Sequence, residues 1–280
     1  MARPKSRAGI LSGIIALLWV TFVCAAISCA AEISMEHHCW GRFEPGAWQE
    51  SRTVTETLDE TGAVVSVSTT EQTMTLVSVN DRRVKLRIES TVEIGGKKFT
   101  APVQTEVQGS YGEVSDHEPI VEELESRATD IDGQSIQCQV HRYVIADQLE
   151  EKTVKVYYSP TVAPYVLRRE VYVSGDHGRR TTRRSDVQVV AIKKPHRVLT
   201  DIVDTSHTKT VDEFDKGSRV TMAVHAEQVP GEIVSSLTRE IDTRGSLVRR
   251  STTELVDFGL GAESVPKNDR SRRARRRARR

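Results

Sequence analysis

From Trp48 onward, apolar and polar residues alternate with a period of two through most of the chain. The pattern is clearest where Val84, Leu86 and Ile88 interleave with Arg83, Lys85, Arg87 and Glu89. A period of two gives one buried face and one wet face, as in an antiparallel sheet. Upstream, Trp48, Glu50, Arg52, Val54, Glu56 and Leu58 share one strand face. Gln49, Ser51, Thr53, Thr55 and Thr57 share the other. Asp59-Glu60-Thr61-Gly62 and Asn80-Asp81 read as turns. Ile94-Gly95-Gly96-Lys97 reads as a two-residue hairpin, since a primed turn needs positive φ at both central residues. Residues 32–47 show no period and read as a loop. His117 to Asp130 (HEPIVEELESRATD) is the exception to the strand rhythm. Pro119 suits a first helical turn, and Ile120, Val121 and Leu124 fall on one helical face, which predicts a short helix.

A hairpin pattern recurs. Residues 164–191 (PYVLRREVYVSGDHGRRTTRRSDVQVVA) and 230–257 (PGEIVSSLTREIDTRGSLVRRSTTELVD) each open at a proline, run extended, turn at an Asp/Gly cluster and return through Arg-Arg-Ser. At an offset of 66, Pro164 meets Pro230, Asp176 meets Asp242, and Arg183-Arg184-Ser185 meet Arg249-Arg250-Ser251. A looser copy runs from Pro45-Gly46 through Gly62 to Thr69-Thr70-Glu71, echoed by Gly245 and Thr252-Thr253-Glu254. Repetition of strand-turn-strand units predicts an all-β fold: large curved antiparallel sheets made of duplicated β-meander or hairpin units, plus the one short helix. The expected organisation is a leader (1–31), an N-terminal meander unit (32–134), two β repeats (135–200 and 201–262) and a basic tail (263–280).

Composition adds a leader and a tail to this picture. Arg3, Lys5 and Arg7 precede an uncharged apolar stretch, residues 8–31, that ends in Ser28-Cys29-Ala30-Ala31. A basic start, an apolar centre and a small-residue exit make a secretory signal peptide, so the protein is expected to be exported, periplasmic or extracellular. Two alternatives keep it on the membrane: an uncleaved anchor, or lipidation at Cys29, since Ala26-Ile27-Ser28-Cys29 resembles a lipobox. Residues 267–280 carry eight arginines, one lysine and one acid, so they cannot fold by burial. The net charge of +1 therefore conceals a body near −10. Aromatics are only 5% of the chain, so the core must be aliphatic and modest.

Candidate chemistry is sparse. Cys39 and Cys138 are the cysteines certain to lie beyond the leader. In an oxidising compartment they are a candidate disulfide, with two separate buried thiols as the alternative. His37, His38, Cys39, Cys138 and His141 are metal-ligand types, but residues three apart on a strand face opposite ways, which argues against Cys138 and His141 sharing an ion. Asp130-Ile131-Asp132-Gly133 lacks the rest of a calcium loop and reads as a turn. There is no GxSxG, HExxH, P-loop or GxGxxG, so no cofactor is expected and a hydrolase with an unrecognised site ranks last. Arg183-Arg184 and Arg249-Arg250 read as charges on edge strands. In the tail, Arg272, Arg273, Arg275, Arg276, Arg277, Arg279 and Arg280 are candidate contacts to anionic lipid head groups or acidic polysaccharide. With no interleaved aromatics, sequence-specific nucleic-acid binding is not expected.

One stretch carries a resemblance. Tyr157-Tyr158-Ser159-Pro160, then Val166 and Arg169-Glu170, resembles a strand-turn-strand pattern in secreted bacterial β-rich proteins related to the lipoprotein-carrier half-barrels. The resemblance implies a long, curved antiparallel sheet with a concave apolar face. Residues 225–231 in the second copy lack the aromatics and the Ser-Pro, so no functional residue transfers. The leading expectation is a non-enzymatic envelope protein that binds or carries an apolar ligand or a protein partner, with Val84, Leu86, Ile88, Val154, Val156, Val220 and Met222 facing inward. The alternative is a scaffold or surface protein tethered to anionic envelope polymer or membrane by its tail.

Overall fold

The computed structural model describes residues 33–114, 119–146, 150–175 and 180–261. The expected leader and basic tail lie outside them. The strands are β1 (Trp48–Leu58), β2 (Val64–Val79), β3 (Arg83–Ile94), β4 (Lys97–Thr100), β5 (Gln104–Gly109), β6 (Ile120–Ile131), β7 (Gln134–Ala146), β8 (Glu151–Tyr158), β9 (Val166–Gly175), β10 (Arg180–Val198), β11 (Asp201–Phe214), β12 (Gly217–His225), β13 (Ile233–Asp242) and β14 (Leu247–Gly259). All belong to one sheet in the order β4-β3-β2-β1-β14-β13-β12-β11-β10-β9-β8-β7-β6, with β5 also on β3. Every pairing is antiparallel, as the period-two pattern requires. The chain therefore starts in the middle of the sheet, walks to one edge, crosses to the far edge at β6, and returns strand by strand to lie beside β1.

That crossing forces the sheet to curl. From Ile33 to Met35 the chain advances at most about 7 Å. Yet Ile33 packs with Val154 and Val156 of β8, while Met35 packs with Val84 and Leu86 of β3. In a flat sheet these strands, nine places apart, would lie about 43 Å from one another at the usual strand spacing. The sheet therefore bends around residues 33–47, which form a plug on its concave face. Ile33, Trp40 and Ala47 are almost wholly buried in this plug. Its one regular element is a helical turn, Met35–His37, capped by Ser34.

Strands β7 and β8 are buried on both faces at one end. Cys138 and Val140 join Tyr157, Leu167 and Val189 in one cluster. Tyr143, Val154, Val156 and Tyr158 join Ile33 and Tyr111 in another. Alternate residues of a strand thus serve two cores.

The turns follow their local chemistry. Gly95 and Gly96 both have positive φ (56° and 77°), as the β3–β4 hairpin demands. Asp132 and Gly133 close β6 to β7 as a turn. Recurring sequence also coincides with recurring backbone bonds. Ser159 N–H donates to Tyr165 O, Tyr165 N–H to Val162 O and Val166 N–H to Pro164 O. The same three bonds recur 67 residues later, from Ala226, Glu232 and Ile233 to Glu232, Val229 and Gly231. This register places Pro164 over Gly231, one residue away from the sequence offset.

Three expectations are corrected. The helix expected over residues 117–130 is absent from the described residues, which resume at Pro119: Ile120–Ile131 is strand β6, paired along β7 with a register jump between Leu124 and Arg127. Ile120, Val121 and Leu124 mimic a helical spacing but lie in the regular ladder before that jump, where Ile120 and Val121 face opposite ways, and Ile120 is 89% exposed and contributes no buried face. Ladder pairing outweighs weak helix propensity here, and the acids of this edge strand discourage further pairing. Second, β10 and β14, which carry Arg183-Arg184 and Arg249-Arg250, are interior strands. Their arginines pair across strands instead, Arg249 with Glu240 and Arg183 with Asp212. Third, Val220 and Met222 do not face inward. Met222 is 41% exposed while its neighbour Ala223 is buried, so β12 turns Thr221 and Ala223 to the concave side.

Candidate functional site

The plug holds a polar cluster together from one end. Arg42 reaches out of it to two acids of the β12–β13 connection. Its Nη2 donates to Glu232 Oε1 at 2.7 Å and its Nη1 to Glu227 Oε1 at 3.0 Å. The guanidinium carbon stands 5.6 Å from the centre of the Tyr165 ring, and the His37 ring stacks on the same tyrosine at 3.9 Å. His37 Nδ1 meets the Tyr158 hydroxyl at 2.5 Å. Trp40 locks the assembly. Gly231 N–H donates to Cys39 O at 3.1 Å, and a Cβ on Gly231 would lie 2.8 Å from the Trp40 ring, so only glycine fits.

Burial sets the protonation of this cluster. It pushes the Glu232 carboxyl up to about 7, with Arg42 pulling the other way. His38 is held down to about 4 by burial and then by Arg169 and Arg42. Tyr165 is raised by burial and by the neighbouring Glu227 carboxylate.

Beside the cluster lies a cavity of about 370 Å³. One wall is apolar: Ile136, Val162, Ala163, Pro164 and Ile192. The other is polar, with Ser206 and His225 from paired strands, the exposed Asp204 and Glu227, and the buried Glu232. Burial holds His225 down to about 4, so it is neutral near pH 7. Its Nε2 meets Thr208 Oγ1 at 2.9 Å.

Thr208 leads from the cavity onto the concave face of the sheet. The ladder register aligns Thr208, Ala223, Ser236, Thr253, Thr53 and Thr70 in one row. The next row is Thr210, Thr221, Thr238, Ser251, Thr55 and Ser68. These hydroxyls meet across strands: Thr53 with Thr253 at 2.9 Å, Thr55 with Ser251 at 2.9 Å, Thr221 with Thr238 at 3.0 Å. All but the fully buried Thr208 and Ala223 are half-buried, whereas their sequence neighbours Val54, Leu237 and Thr252 are exposed on the convex side. The sequence identified both faces of β1 but gave no reason to choose between them, because both are polar. Away from the plug, the expected concave apolar face is therefore a hydroxyl face.

The other sequence candidates fare variously. Cys39 and Cys138 are free thiols, not a disulfide. Cys39 packs in the plug with Met35 and Trp40, and burial pushes its thiol up to about 12. Cys138 sits in the other cluster, its Sγ near Thr129 Oγ1. His141 pairs with the Tyr111 hydroxyl at 3.3 Å, and among the described residues no three metal-ligand side chains gather. Arg272, Arg273, Arg275, Arg276, Arg277, Arg279 and Arg280 lie outside the described residues. Sequence reasoning missed Arg42, Trp40 and Glu232, because an aperiodic segment gives no sign of where it docks.

No family model matches the chain, and no curated protein does. Among solved structures, a Bacteroides fragilis protein assigned as exported, with a YmcC-like fold, is 10% identical over 78% of this chain and 98% of its own, with a TM-score of 0.33. A protein assigned as a lipoprotein, from Parabacteroides distasonis, is 12% identical over 75% of this chain and 95% of its own, with a TM-score of 0.29. Likeness of this degree bears on neither function nor location.

Proposed function

We propose that this is an exported, non-enzymatic envelope protein that binds a small ligand on the concave face of its sheet. The cavity beside Tyr165 and His225 carries the reading: its volume of about 370 Å³ falls within the range of small-molecule sites. Its apolar wall faces a few convergent polar groups, which is the usual composition of such sites. The plug supports the same reading, since Trp40 and Arg42 fix the turns that frame the cavity without filling it. Export rests on the leader pattern of residues 1–31.

Uptake of the apolar dye N-phenyl-1-naphthylamine tests the proposal. Saturable fluorescence at one dye per chain is expected, abolished by Ser206→Trp, which fills the cavity. Absent uptake, or uptake indifferent to Ser206→Trp, overturns it.

A further inference from the structure

The hydroxyl rows and the cavity adjoin. Ser206 and His225 line the cavity and face each other in the β11–β12 ladder. Two residues further along, Thr208 and Ala223 begin the first row. Rows on neighbouring strands are about 4.8 Å apart, and successive rows on one face about 7 Å apart. A hydroxyl offers one donor and two acceptor lone pairs. Each cross-strand pair uses one donor and one lone pair, so the Thr53–Thr253, Thr55–Ser251 and Thr221–Thr238 pairs still present a donor and several acceptors to whatever lies above them.

The far margin of the rows is charge-balanced: Glu240 lies 3.7 Å from Arg219 and 3.6 Å from Arg249, and Asp212 lies 3.7 Å from Arg183. A strongly charged ligand finds no complementary field there. A purely apolar chain would leave the remaining donor and lone pairs of each hydroxyl pair unmatched on burial, which costs free energy. The chemistry that fits both findings is neutral, with donors and acceptors at short, regular intervals.

We propose that the cavity and the hydroxyl rows form one site for an uncharged, hydroxyl-rich chain, an oligosaccharide whose end enters the cavity and whose following sugars lie across β1 and β12–β14. This rests on the cavity being a ligand site and names the class of ligand. Arg42 ties down Tyr165, Glu227 and Glu232 of the cavity lining from the plug, and the chain approaches along the rows.

The test is calorimetric titration of the full-length protein with fully N-acetylated chitohexaose (chitohexaose below), a neutral linear oligosaccharide, beside the naphthylamine titration. The quadruple variant Thr53→Val, Thr253→Val, Thr221→Val and Thr238→Val removes paired hydroxyls together, so none is orphaned, and valine suits a strand as well as threonine does. Thermal unfolding establishes that it folds. Saturable chitohexaose binding that weakens at least tenfold in the variant, with dye uptake unchanged, is expected. Equal chitohexaose binding by both proteins overturns the assignment of the rows. Dye uptake without chitohexaose binding overturns the ligand class while the cavity reading stands. If neither probe binds, both fall. A variant that does not fold is replaced by Thr53→Val with Thr253→Val alone, read by the same outcomes.

Discussion

Replacing Arg42 with methionine probes the plug most sharply, because its cost should depend on pH. The arginine neutralises Glu232, whose side chain is 7% exposed. Burial raises the Glu232 carboxyl to about 7, and Arg42 opposes that rise. A carboxyl raised on folding holds its proton more tightly in the native state. Its stabilising contribution is present below about 4.5, the unfolded value, and is lost as pH rises through the folded value near 7. Without Arg42 the folded value moves higher still. At pH 8 the wild-type carboxylate is ionised against Arg42 while the variant holds its proton, which adds at most about 1.4 kcal/mol for the one pH unit above the wild-type folded value. At pH 5 Glu232 is neutral in both proteins, and the loss falls to the hydrogen bonds and the Tyr165 contact, about 1–2 kcal/mol. Urea unfolding at the two pH values should therefore give costs differing by about 1 kcal/mol, the larger cost at pH 8. Adding Glu232→Gln should remove the pH-dependent part of the loss, because the titrating carboxyl goes with it. Equal costs at both pH values, or a pH dependence that persists in the double variant, would refute this reasoning.

Three further outcomes follow. Trp40→Ala should cost about 3–5 kcal/mol in the same unfolding assay, because Trp40 is 2% exposed and joins the plug to Gly231; a cost below about 1 kcal/mol would mean the plug is not anchored there. His38 and His225, both held down to about 4 by burial, take up protons in the unfolded chain before the native one. Each therefore lowers stability by about 1.4 kcal/mol per pH unit as pH drops from 6.5 towards 4, against the opposite contribution of Glu232, and His225→Gln should remove a contribution of about that size from the measured slope. Deleting residues 267–280 should abolish retention on vesicles containing phosphatidylglycerol if the tail binds anionic surfaces, as its run of arginines suggests; unchanged retention would dismiss the tail as an anchor.

What the sequence made legible was whatever is encoded locally. Val84, Leu86 and Ile88 announce their strand because one face is buried against the plug and the other is wet. Gly95-Gly96 announces its hairpin because the turn needs positive φ at both residues. The β6 strand was misread because Ile120, Val121 and Leu124 fall at helical spacing by composition alone, and its pairing with β7 is a tertiary fact. The plug was read as a loop because Ile33, Met35, Trp40 and Arg42 follow no repeat: each is placed by a different partner, on β8, β3 and the β12–β13 turn. The inner face of β12 was misassigned because Val220 and Met222 are more apolar than Thr221 and Ala223. Hydropathy favoured the wrong side of a strand whose concave face is polar.

Hydrogen exchange of the full-length protein, with and without saturating chitohexaose, tests the central claim most directly, because it locates the ligand as well as detecting it. The expected result is slowed exchange confined to β1, β2, β11–β14 and the 159–165 and 226–232 connections, the segments that carry the hydroxyl rows and border the cavity. Unchanged exchange there, or protection confined to the convex edge strands β4 and β6, would contradict the account.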